Sequence, residues 1–136
     1  MRKSLVDTNV LAAFFAGDPE TVEMIQRSQT IAVNSIVLGE LLAGFAVGAR
    51  AEANRRLLSR FLAASRVKLL TLGSDTAEHY ADIYAGLRRK GKPIPTNDMW
   101  IAASAREHGL MVLTRDSHYI HIDGLLVGSS PEQLLP

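Results

Sequence analysis

IAVNSIVLGELLAGFAVG, residues 31–48, decides the fold. Ile31 to Val33 form a short apolar run of strand type. Ser35 offers a hydroxyl for capping, and Ile36 to Gly48 continue with the pattern of an amphipathic helix. A strand that passes straight into a helix is half of a βαβ unit. The same alternation recurs outward from it: Ser4 to Val6 before, Val67 to Leu70 and Met111 to Leu113 after, with helical patterns between. Strands separated by helices predict an α/β fold around a parallel sheet. Boundary chemistry agrees. Asp18-Pro19 supplies an N-cap with proline at the first helical position, and Asp75 with Glu78 makes a capping-box pattern. Gly91 and Pro93 stop that helix. Thr96 is read as the cap of the next, Asn97 to His108, which ends at Gly109. Gly128 to Pro131 reads as a turn.

With 136 residues, 47% of them hydrophobic, residues 1–136 are expected to form one domain with a real core. The chain has no cysteine, which excludes a disulfide scaffold and a thiolate metal site. A metal here would be a hard ion held by oxygen or imidazole; Mg2+ or Mn2+ fits. A net charge of +1 means that any grip on nucleic acid must be local. Arg2 and Lys3 followed by apolar residues imitate a signal peptide, but Asp7 and Asn9 interrupt the run, and no segment approaches the ~20 apolar residues of a membrane span. A soluble, cytoplasmic protein is expected, without a membrane partner.

Glu40 is the only charged residue between Ile36 and Gly48, close to the helix's apolar stripe. A buried carboxylate costs several kcal/mol unless paired or liganded. Asp7, Asp98 and Asp116 stand in comparable positions: Asp7 ends the first strand, Asp116 follows the last, and Asp98 lies in the first turn of its helix. Ligands of open α/β sheets bind beyond the carboxyl ends of the strands, where all four can meet. Three of them have an ordinary alternative, since Asp7 can cap a helix, Asp98 can face a helix dipole and Asp116 can serve a turn; Glu40, among Ile36, Val37, Leu41 and Leu42, is the hardest to read that way. Together they would repel by ~4 kcal/mol per pair at ~4 Å and an effective dielectric near ~20, so convergence implies a cation. His118 and His121, near Asp116 and Asp123, make a weaker His/Asp metal pattern. His79 and His108 sit on charge-rich helices and read as solvated. Arg88, Arg89, Lys90 and Lys92 are candidate RNA contacts or last-turn dipole partners; Arg50, Arg55, Arg56 and Arg60 read as the wet face of a helix.

VDTN at Val6 to Asn9, SIVLGELLAG at Ser35 to Gly44, NDMWIAASA at Asn97 to Ala105 and LTRD at Leu113 to Asp116 together resemble a PIN-domain ribonuclease, and more narrowly a VapC-type toxin of a toxin–antitoxin pair. The resemblance implies a three-layer α/β/α sandwich. It implies a metal site of Asp7, Glu40, Asp98 and Asp116, with Asn9, Asn97 and Thr114 orienting carboxylates or water. It also implies Mg2+- or Mn2+-dependent cleavage of single-stranded or looped RNA, such as tRNA or rRNA, and a homodimer inhibited by a cognate antitoxin whose C-terminal segment crosses the groove. Two departures stand out: Tyr119 where the family more often has Phe, and His121 where less polar residues are usual. A catalytically silent PIN scaffold and a PIN nuclease of RNA processing are the alternatives within the family. A phosphoacceptor module needs an acidic pair beside the first strand, and its Lys-Pro follows a strand, whereas Lys92-Pro93 follows a helix. An aspartate-nucleophile phosphatase needs a second Asp where Asn9 stands.

Overall fold

The structure is a computed structural model that describes residues 2–134; Met1, Leu135 and Pro136, included in the expected span of 1–136, lie outside the described residues. The elements run β1 (Lys3–Val6), α1 (Thr8–Phe15), α2 (Pro19–Arg27), β2 (Thr30–Asn34), α3 (Ser35–Val47), α4 (Ala51–Ala63), β3 (Val67–Leu70), α5 (Ser74–Lys90), α6 (Thr96–His108), β4 (Met111–Leu113) and β5 (Val127–Gly128). Short 3-10 turns cover Ser117–His121 and Pro131–Leu134.

The strands form one sheet in the order β3-β2-β1-β4-β5, every pair parallel. Parallel strands need crossovers, and here each is made by helices. The chain steps outward from β1 to β2 to β3, then returns through α5 and α6 to β4 on the other side of β1. Right-handed crossovers in opposite directions put helices on both faces, which gives the α/β/α layers. The order reverses between β1 and β4, so the crevice expected of such a sheet opens beyond their carboxyl ends.

Leu5 and Val6 of β1, Ile31 and Val33 of β2, and Val112 and Leu113 of β4 are buried, as strands covered on both faces should be. Edge strand β3 exposes Lys68 and Leu69, and a charge there discourages pairing with another sheet. Helix α6 presents the small residues Ala102, Ala103, Ser104 and Ala105, all buried, which lets its backbone lie close to β1 and β4. No helix among the described residues is long and apolar enough to cross a membrane.

Three helix starts differ from the sequence reading. Asn34, not Ser35, caps α3: its Oδ1 accepts from Val37 N–H at 3.0 Å, while Ser35 Oγ turns to the Leu70 carbonyl. Asn34 is also fully buried, and its Nδ2 donates to Ser104 Oγ of α6 at 3.0 Å. Helix α6 begins at Thr96 itself, with Pro95 as the flanking residue and no side-chain cap. At α5, Gly73 N–H donates to Thr76 Oγ1, and that hydroxyl in turn donates to Glu107; Asp75 and Glu78 take no part.

The segment read as a turn at Gly128 to Pro131 contains the end of β5. Gly128 allows it: a Cβ there would come within 2.7 Å of Met111 Sδ and 3.3 Å of Leu113 Cδ2. Its carbonyl accepts from Thr114 N–H at 3.0 Å, which extends β4 by one residue toward the crevice.

Candidate active site

Asp7 is held where β1 ends. Its N–H donates to the Leu113 carbonyl at 2.9 Å, so the β1–β4 ladder runs on to the residue that carries the carboxylate. The side chain is buried, at 4% exposure. Asp7 Oδ1 accepts from Thr8 N–H at 2.8 Å and so caps α1, while Oδ2 accepts from the Thr114 hydroxyl at 2.7 Å. The same Thr114 oxygen accepts from Asp116 N–H at 2.9 Å. One threonine thus joins the Asp7 carboxylate to the backbone of Asp116.

Glu40 lies half-buried on α3, whose buried residues are Val37 and Leu41. It stands at the rim of the core; Asp7 is the acid that bears the cost of burial. Glu40 Oε1 accepts from Thr8 Oγ1 at 2.6 Å, and Oε2 accepts from Asn97 Nδ2 at 3.3 Å. Asp98 is the third residue of α6, where the helix dipole favours a negative charge. Its Oδ2 lies 3.0 Å from His118 Nδ1, and the same nitrogen lies 2.9 Å from Asp116 Oδ1. Asp116 Oδ1 also accepts from His118 N–H at 3.1 Å and thereby caps the Ser117–His121 turn. A continuous polar chain therefore runs Glu40, Thr8, Asp7, Thr114, Asp116, His118, Asp98.

Among the described residues, Asn9 makes no hydrogen bond to a carboxylate. Its Oδ1 accepts from Arg115 N–H at 3.3 Å, and Arg115 reaches Asp18 at 2.7 Å, so this pair ties the loop after β4 to the α1–α2 corner. The two histidines part company: His118 joins Asp98 and Asp116, whereas the His121 carbonyl accepts from Lys90 Nζ at 2.8 Å beside Asp123. Lys90 is thus engaged by Asp123 at 2.6 Å. Arg89 lies along the same side near Asp82, while Arg88 faces Tyr84. His79 is half-buried rather than solvated, and His108 is exposed.

Among the described residues, no lysine or arginine forms an ion pair with Asp7, Glu40, Asp98 or Asp116; Arg27, Lys90, Arg106 and Arg115 pair instead with Glu23, Asp123, Asp82 and Asp18. Burial, foremost, raises the Asp7 pKa; the Thr114 and Thr8 hydrogen bonds oppose it, and the Asp98 and Glu40 charges add to it. Tyr119 is fully buried with no hydrogen-bond partner for its hydroxyl. After burial, the Asp7, Asp98 and Asp116 charges keep that phenol protonated; it lies toward Asp7 without a hydrogen bond of good geometry. Carboxylates with no lysine or arginine partner among the described residues, an orphaned hydroxyl and a donor set of oxygens with one imidazole suit a hard divalent cation and its water.

A pH dependence follows. An acid whose folded pKa is raised holds its proton more tightly when folded, so the stability it contributes falls as pH rises from its unfolded value upward. His118, raised chiefly by its Asp98 hydrogen bond, contributes stability below its unfolded pKa that is lost as pH rises through the folded one. Both act in one direction. The melting temperature of metal-free protein should fall between pH 5 and pH 8, and Mn2+ should restore more at pH 8 than at pH 5. A rising melting temperature across that range without metal would contradict this electrostatic account.

Residues 4–125 match the PIN domain family. The chain belongs to that family. A ribonuclease VapC4 of Mycobacterium tuberculosis is 33% identical over 121 residues, covering 88% of this chain and 90% of that protein. A tRNA(fMet)-specific endonuclease VapC of Shigella flexneri is 30% identical over 119 residues, covering 86% and 89%. The DNA-bound VapBC crystal structure from Salmonella typhimurium superposes with a TM-score of 0.81 at 29% identity, covering 94% of this chain and 98% of that one. For this PIN domain, sequence reasoning overlooked Thr8 and Asn34 and underweighted His118. Thr8 stood inside the quoted VDTN motif, where its neighbour to Asp7 was the available signal. Asn34 was masked by Ser35, an equally good cap one residue later.

Proposed function

We propose that this chain is the endoribonuclease toxin of a toxin–antitoxin pair, and that Asp7, Glu40, Asp98 and Asp116 hold the Mg2+ or Mn2+ it needs to hydrolyse RNA. The observation that carries the reading is a set of linked carboxylates at the sheet's reversal point with no lysine or arginine paired to them among the described residues. Its likeness to VapC ribonucleases supports the reaction class, and a tRNA-specific relative supports structured RNA as substrate. When bound, the divalent ion lowers the pKa of a water molecule and offsets charge on the scissile phosphate.

The chain's own residues do the positioning. Thr114 ties the Asp7 carboxylate to the backbone N–H of Asp116, and Thr8 and Asn97 grip the two oxygens of Glu40. The helix that offers Asp98 is pinned to α3 by Asn34 and Ser104. Substrate approaches along a cleft of about 400 Å³ lined by Tyr84, Leu87, Arg88, Pro93, Ile94 and Thr96, two residues from Asp98. Half-exposed Tyr84 offers a stacking face and Arg88 a phosphate contact. Of the basic run, Arg88 is thus better placed than Lys90, which Asp123 engages. A homodimer in the cytoplasm, silenced by an antitoxin that brings a guanidinium or ammonium to the carboxylates, completes the reading.

Labelled single-stranded and tRNA substrates should be cleaved by chelator-stripped protein only after Mg2+ or Mn2+ is returned. Undiminished cleavage in excess chelator would exclude the metal mechanism, and no cleavage of any RNA with either ion would favour a silent scaffold. Arg88→Ala should flatten the salt dependence of RNA binding by about one unit of log-log slope. An unchanged slope would move the RNA path away from this cleft.

A further inference from the structure

We propose that His118 is a nitrogen ligand of the divalent ion, making the centre a mixed carboxylate–imidazole site that selects Mn2+ over Mg2+. The inference rests on the metal reading above and goes beyond its four acids. His118 Nδ1 lies 3.0 Å from Asp98 Oδ2 and 2.9 Å from Asp116 Oδ1, and ligand atoms of all three residues lie within 4.8 Å of one another. Neighbouring ligands on an octahedral ion with bonds of about 2.1 Å are about 3.0 Å apart, so the two distances from His118 Nδ1 are those of adjacent ligands on one ion.

The backbone sets this aim. Asp116 caps the Ser117–His121 turn through His118 N–H, so residue 118 must project back over the carboxylate that caps it. The next residue, Tyr119, sends a buried, unpartnered hydroxyl toward Asp7 on the same side of the crevice, a second sign that something polar belongs there. The contacts of His118 Nδ1 are both to these carboxylates, and its side chain is 44% exposed, so no structural demand of the core explains the placement. Nitrogen adds little for Mg2+, which prefers oxygen and keeps its water, and more for Mn2+ and later divalent ions.

The test uses the whole chain loaded with Mn2+. Pulsed electron paramagnetic resonance should show nitrogen-14 coupling from a directly bound imidazole, absent in His118→Ala and His118→Gln. Competition titrations should show that His118→Ala loses on the order of tenfold or more in Mn2+ affinity, the range seen even for indirect metal partners, and clearly less in Mg2+ affinity. Bound Mn2+ without nitrogen coupling would overturn the proposal while leaving the carboxylate site standing. Variants that bind both ions more tightly than the parent would also overturn it, since His118 would then be a counterion that the metal displaces. A parent protein that binds no Mn2+ would sink this inference and the metal reading together.

Discussion

Asp98→Asn leaves the protein folded and lowers RNA cleavage on the order of 10³-fold or more. The substitution keeps the shape of a side chain that is mostly buried at the start of α6 and removes one negative charge. Loss of metal-assisted charge stabilisation is worth several kcal/mol, and each ~1.4 kcal/mol is tenfold in rate. Two small stability effects oppose each other: a carboxylate in the first helical turn gains about 0.3–1 kcal/mol from the dipole, and removing it relieves repulsion within the cluster. The melting temperature of metal-free protein should therefore stay within a few degrees of the parent's. A variant that still cleaves RNA at near the parent's rate with Mg2+ would show that Asp98 belongs only to the helix start.

Asn34→Ala should destabilise the fold by about 2–4 kcal/mol. The loss of an N-cap costs about 1 kcal/mol, up to 2 in buried cases. Leaving the buried Ser104 hydroxyl without its donor adds about 1–3 kcal/mol. Asn34 joins the end of β2 to α3 and α6, the helices that carry Glu40 and Asp98, so catalysis should fall beyond what the unfolded fraction explains. Chemical denaturation measures the first effect, and cleavage rates well below the melting transition measure the second. Asn34→Asp, which retains the capping oxygen but loses the donor to Ser104, should fall between the two. If Asn34→Ala melts like the parent, the cap and the α3–α6 tie do not contribute as described.

The sheet was legible chiefly because its central strands β2, β1 and β4 are buried on both faces. Ser4 to Val6, Ile31 to Val33, Val67 to Leu70 and Met111 to Leu113 read as continuous apolar or β-rich runs, and each forms a strand. β5 carries no such signal, because two residues have no periodicity and Gly128 looks like a turn former. Its role emerges only from tertiary packing, where the missing side chain leaves room for Met111 and Leu113. Of the four acids that the ordered spacing singled out, the sequence misjudged which is buried. Glu40, surrounded by apolar letters, lies at the rim of the core, while Asp7, at the end of a central strand, lies within it. Neighbours in sequence do not define the side of a helix or the depth of a strand. The relation of His118 to Asp98 was likewise hidden, because twenty residues and a strand separate two side chains that meet in space.

Crystals of the intact chain soaked in Mn2+ and measured at the manganese absorption edge test the central claim most directly. An anomalous peak should lie within about 2–2.5 Å of carboxylate oxygens of Asp98 and Asp116 and on the Asp7 side of the crevice, and the same soak of Asp98→Asn should lose it. Manganese density absent from the space among the four carboxylates, at concentrations that support RNA cleavage, would contradict the assignment of the active site.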